Sequence, residues 1–93
     1  MHETALVKNL IQKLQTICAD EGAERVVDIA VWLGALCHMS PDHFSDHFRQ
    51  EAAGTCAERA RLQIETSDDI NHPNAQDVLL QSLELETDDE ALQ

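Results

Sequence analysis

The chain has 93 residues, with 18 acidic against 6 basic side chains, a formal charge of −12 and only three aromatic residues. That length suits one small domain with a thin core. The charge repels phosphate backbones and argues against nucleic acid as a partner. No apolar run approaches the ~20 residues that cross a bilayer, so a membrane partner is not expected either.

Met1-His2-Glu3 opens the chain. His2 sets an imidazole beside the α-amine and the first backbone amide. One divalent metal can take all three nitrogens in fused chelate rings once the amide gives up its proton. Flat coordination by nitrogen alone suits Ni(II) or Cu(II) better than Zn(II). The plain alternative is that His2 merely begins a helix. Met1 is followed at once by His2 and Glu3, not by basic residues and an apolar run, so no secretory leader is read and a cytoplasmic location is expected.

Thr4 to Cys18 is predicted as a helix. Leu6, Leu10, Leu14 and Ile17 fall at helical spacing, and Val7, Ile11 and Cys18 widen the stripe. Gly22 can end it in a left-handed cap. Glu24 to Leu33 alternates as a strand, with Val27, Ile29, Val31 and Leu33 toward the helices. Asp28, Ala30 and Trp32 then face the other way, with Gln63 a candidate neighbour of Trp32.

Residues 34–39 connect to a second helix, for which Ser40 is the N-cap, Pro41 the first helical residue and Asp42 a first-turn acid. It runs to about Ala53, sends Phe44 and Phe48 inward, and stops at Gly54. A second strand spans Arg59 to Glu65. Residues 66–76 are rich in turn formers, and Asp77 to Glu86 resumes as a third strand. Its apolar residues change phase between Leu80 and Leu83, which predicts a bulge. Residues 87–93 read as an acidic tail expected to be disordered.

The expected fold is therefore α/β (α+β): two helices on one face of a small three-stranded mixed sheet. Its other face, left without helices, offers a surface through which two copies could pair as a homodimer.

Cys18, Cys37 and Cys56 lie far apart with no C-x-x-C pair. They read as three reduced thiols, at least one buried, rather than a disulfide framework or a zinc knuckle. His38, His43 and His47 form a second candidate metal site. His43 and His47 are four apart on the predicted helix, so their rings can share a face and a metal. Exposed histidines beside Asp42 and Asp46 give the same spacing. His72 could add a ligand if its loop folds toward the terminus. No nucleophile motif, phosphate-binding glycine loop or paired carboxylates mark a catalytic centre.

Several segments occur in an order that resembles the HypA/HybF family of hydrogenase nickel-insertion proteins. They are Met1-His2-Glu3, Gly22-Ala23-Glu24-Arg25-Val26, Leu33-Gly34-Ala35-Leu36, Pro41, Gly54-Thr55, Ala57-Glu58, Ala60-Arg61-Leu62, Ile64-Glu65 and Ser82-Leu83-Glu84-Leu85-Glu86. They fall in about residues 1–65 and 77–86.

The resemblance implies an α/β module that holds Ni(II) through the Met1 amine, a backbone amide nitrogen and the His2 imidazole, with Glu3 as the adjoining motif residue. It further implies passage of Ni(II), with a maturation GTPase, to the large subunit of a nickel enzyme such as [NiFe] hydrogenase. The family's zinc ribbon, with its two cysteine pairs, would be inserted between the second and last strands. Residues 66–76 stand there instead and hold no cysteine, so no structural zinc is expected, and residues 1–86 are read as a single nickel-binding domain. The competing reading is an interaction module of the same fold, docking on a GTPase or enzyme subunit without metal. Neither is an enzyme.

Overall fold

The structure, a computed structural model, describes residues 2–87, with side chains from residue 4 onward. Helix α1 (His2–Glu21) is followed by strand β1 (Ala23–Leu33), helix α2 (Pro41–Ala52), strand β2 (Arg61–Thr66) and strand β3 (Val78–Thr87). β3 therefore takes in Thr87, which the sequence assigns to the tail; residues 88–93 lie outside the described residues. The two helices and the three-stranded mixed sheet make an α+β fold, as the residue pattern predicts.

α1 extends past both expected ends. Its buried row is Val7, Ile11, Leu14 and Cys18 together with Leu10, at i, i+4, i+7 and i+11, one stripe of a 3.6-residue helix. Leu6 and Ile17 are half-buried flanks of that stripe rather than its centre. Gly22, at φ 66°, turns the chain straight into β1, a backbone conformation that costs glycine little.

β1 is the central strand. It pairs parallel with β2 and antiparallel with β3, giving the order β2-β1-β3. The parallel pair needs a crossover, and α2 supplies it. The β1–β3 register skips Glu24 and Val27 on β1 and Gln81 on β3. The Gln81 bulge is the one foreseen between Leu80 and Leu83. The bulge at Val27 is not, and it shifts the strand by one residue. Val26, not Val27, is fully buried with Ile29, Val31 and Leu33. A one-residue slip exchanges the two faces of a strand, so a single bulge undoes a strict alternation.

Ser40 caps α2, its side chain accepting from the His43 amide at 3.1 Å, and Pro41 follows it in the first turn. Phe44 and Phe48 are wholly buried, with ring centroids 6.1 Å apart. They pack with Val7, Leu14, Ile29, Val31 and Leu33 in one core between the helices and the sheet. Burying each phenylalanine contributes roughly 2–3 kcal/mol.

Both connections after β1 and β2 meet at one end of the sheet. β2 stops and β3 starts on either side of β1, so residues 67–77 must step across the end of β1. Ser67 N donates to Leu33 O at 3.0 Å, Gly34 N to Asp77 O at 3.0 Å and Leu36 N to Ala75 O at 2.7 Å. At Gly34 the crossing is so close that a Cβ would lie 2.2 Å from Ala75 O.

Candidate metal sites

The topology decides which histidines share a region. α1 and α2 both run antiparallel to β1, so both begin at the end where β1 stops. The first turns of α1 border a cleft with the start of β3, lined by Leu6, Asn9, Leu10, Lys13 and Asp77 to Leu80. His2 opens α1, His38 sits in the connection after β1, His43 and His47 occupy the first turns of α2, and His72 lies in the connection after β2. All five histidines of the chain are thus placed toward one end of the fold by backbone position.

Met1 and the side chains of His2 and Glu3, the sequence-predicted nickel ligands, lie outside the described residues. The backbone at His2 is the start of α1. The first amides of a helix have no intrahelical acceptor. An amide nitrogen there can release its proton to water and take a metal in its place without breaking a helical hydrogen bond.

His43 and His47 come together. Their Nε2 atoms are 3.0 Å apart, with ring centroids at 4.7 Å and planes inclined by 42°. His43 is exposed and His47 half-buried. One turn on in the same row, Glu51 borders a cleft with Lys8, Ile11, Gln12 and Gln15 of α1. The row therefore lies on the flank of α2 that looks toward α1.

The other candidates do not join this pair. His38 is exposed and is the one non-glycine residue with positive φ, 65°, among the described residues. His72 packs against Trp32, with ring centroids 4.8 Å apart, and its Nδ1 accepts from Asn74 N at 2.9 Å. Trp32 points to the face opposite the helices, so the His72 loop folds under the sheet rather than toward the start of α1. Nothing in the residue pattern announces that stacking. Among the described residues, no group of three or more His, Cys, Asp or Glu side chains could hold a metal ion.

Asp28 is bonded by Gln63 at 3.0 Å on the same outer face, and Gln81 reaches Glu65 at 3.1 Å. Glu65 is the β2 partner of Trp32 in the sheet register.

The three thiols are free. Cys37 donates to Met39 O at 3.7 Å and Cys56 to Leu14 O at 4.0 Å. Burial, and then the adjacent Cys56 thiol, push the Cys18 thiol from 9.0 up to about 12. Such a thiol stays protonated and inert near neutral pH.

Residues 1–71 match the family model described as hydrogenase/urease nickel incorporation, metallochaperone, hypA. The chain belongs to the HypA family. The match begins at Met1-His2-Glu3 and ends in the connection between β2 and β3.

Among curated HypA relatives, the hydrogenase maturation factor of Picosynechococcus sp. is 32% identical over 66 residues, which is 71% of this chain and 58% of that protein. The factor of Rhodopseudomonas palustris is 34% identical over 64 residues, 69% of this chain and 57% of its own length. This HypA-family chain thus spans somewhat more than half the length of these relatives.

The solution structure of the Ni metallochaperone HypA from Helicobacter pylori superposes with a TM-score of 0.75 at 20% identity, covering 95% of this chain and 100% of that one. A second HypA solution structure gives 0.73 at 20% identity, covering 95% and 98%. These likenesses establish the fold.

Proposed function

We propose that this HypA-family chain binds Ni(II) at Met1-His2-Glu3 and serves as an accessory protein in the maturation of a nickel enzyme such as [NiFe] hydrogenase. The observation that carries the reading is the family match, which runs from Met1 through residue 71. The Met1 amine, a backbone amide nitrogen and the His2 imidazole supply the nitrogens, with Glu3 adjoining. Ni(II) is cargo here, not a resident cofactor. Square nitrogen ligation favours it over Zn(II).

Metal at the start of α1 meets the positive end of the helix dipole. The negative charge of a deprotonated amide offsets that repulsion. A site at the chain end also leaves the ion open to exchange with a receiving protein. A maturation GTPase and the large subunit of the client enzyme are the partners this role requires. The protein works in the cytoplasm and catalyses no reaction of its own; no described helix is long and apolar enough to cross a membrane. Structural zinc has no place in the reading, because residues 67–77, which join β2 to β3, contain no cysteine.

The test is titration of the native, tag-free protein with Ni(II), followed by calorimetry and absorption. A yellow, diamagnetic species is expected at one equivalent. It should vanish in His2→Ala and in a chain carrying one extra residue before Met1. A native protein indifferent to stoichiometric Ni(II) at neutral pH overturns the reading.

The second reading, a metal-independent interaction module, draws on the half-buried Trp32 on the sheet face without helices. It wins if the N-terminally blocked protein still binds the GTPase or enzyme subunit at full strength.

A further inference from the structure

We propose that His43 and His47 form a second divalent-metal site, a bidentate bis-imidazole chelate on the flank of α2, distinct from the N-terminal nitrogens. Two residues four apart on a helix are neighbours, and this spacing lets two imidazoles share one ion. The geometry goes further than the spacing. Two nitrogens bound at right angles to one square-planar or octahedral ion, each about 2.1 Å from it, lie about 3.0 Å apart, with their ring centroids about 4.6 Å apart, and the tetrahedral angle of Zn(II) opens the nitrogens only to about 3.4 Å. Imidazoles joined end-on by a linear N–H···N bond of about 3.0 Å would hold their centroids about 5.3 Å apart. The observed values are 3.0 Å and 4.7 Å. The ring separation is thus close to that of two imidazoles sharing one ion and shorter than that of an end-on hydrogen-bonded pair.

The setting suits a cation. His43 is exposed and His47 half-buried, so an ion can enter and keep water in its remaining positions. Asp42 and Asp46, exposed on the same two turns, and the chain's charge of −12 raise the local concentration of cations. The helix is already fixed by the Ser40 cap and by the buried Phe44 and Phe48, so the two positions stand one turn apart before metal arrives. Neutral imidazole selects the borderline transition ions Zn(II), Ni(II) and Cu(II) over Mg(II) or Ca(II). Two protein ligands make a site that exchanges readily.

The inference does not rest on the N-terminal site, and the experiment keeps the two apart. The full chain, extended by one residue before Met1 and carrying His2→Ala, is titrated with Zn(II) in a buffer without chelators. Histidine ring signals are followed by NMR and heat by calorimetry. One equivalent should bind with micromolar affinity, shifting the rings of His43 and His47 and leaving those of His38 and His72 in place. His43→Gln and His47→Gln should each weaken binding by more than about tenfold, while His38→Gln changes nothing. The ring shifts in the parent protein need no variant to fold. Unmoved His43 and His47 signals in excess zinc would leave only a hydrogen bond between two imidazoles and overturn the proposal. So would binding that survives both substitutions. If the native protein ignores Ni(II) at its terminus while the blocked protein still takes zinc through His43 and His47, the N-terminal reading falls and this one stands.

Discussion

The imidazole of His72 lies against the indole of Trp32, centroid to centroid 4.8 Å, and its Nδ1 accepts the Asn74 amide at 2.9 Å. One side chain thus covers the only tryptophan and fixes the turn of the connection that carries it. His72→Ala should uncover the indole, shift its emission to the red and lower stability by about 1 kcal/mol, the value of an aromatic pair. Fluorescence and urea unfolding on the same sample check both; an unmoved emission maximum would contradict the packing.

Gly34→Ala should cost more than its single methyl suggests. The added carbon would stand 2.2 Å from Ala75 O and 2.6 Å from Asn74 O, and both are backbone atoms that cannot swing aside. Forcing the two connections apart should destabilise the fold by about 2–3 kcal/mol, in the range of overpacked cores. Faster hydrogen exchange is expected at Leu36, whose amide is bonded to Ala75 O.

Phe48→Ala removes a wholly buried ring from between α2 and the sheet. A loss of about 3–5 kcal/mol is expected. That is a large share of the ~5–15 kcal/mol that holds a small domain together. Thermal unfolding should show a variant barely folded at 37 °C.

Ser40→Ala deletes the side chain that accepts the His43 amide. A cost of about 1 kcal/mol is expected, with fraying confined to the first turn of α2. Because that turn carries His43, the same variant should loosen the His43–His47 pair, visible as broadened ring signals in NMR.

Stability should fall in alkali because of Cys18. Below about pH 9 the thiol is protonated in both the folded and the unfolded chain. Between about 9 and 12 the unfolded chain releases the proton and the folded chain keeps it, so rising pH favours unfolding through that window. Urea midpoints measured from pH 8 to 11 should decline, and Cys18→Ala should flatten the decline.

The residue pattern carried most of the architecture. Gly22, Ser40-Pro41 and Gly54 mark helix ends that the backbone honours, and Phe44 and Phe48 are where helical spacing puts them. What it misplaced were phases. Val26 and Val27 are chemically identical, so only the β1–β3 register, which skips Val27, decides which of them is buried. Likewise α1 offers two overlapping apolar rows, and packing on the sheet selects the one through Val7 and Leu14 over the one through Leu6 and Ile17. For the sites, the spacing of His43 and His47 was legible but the 3.0 Å approach of their Nε2 atoms was not, because spacing alone does not set side-chain direction. The Trp32–His72 contact joins residues forty positions apart in sequence, and no local signal encodes it.

The path of residues 67–77 has one more implication. Its two ends are anchored, at Ser67 to Leu33 and at Asp77 to Gly34, while Asp68 to Asn71 at its outer bend face solvent. The strands it joins flank a single strand between them, so the two anchor points stand roughly 10 Å apart, twice the interstrand spacing. A guest segment whose own termini are that far apart could be spliced into the bend and ride on the sheet like a cargo pod on a fixed mount. Variation in what is mounted there would leave the helices, and the histidines they present, undisturbed.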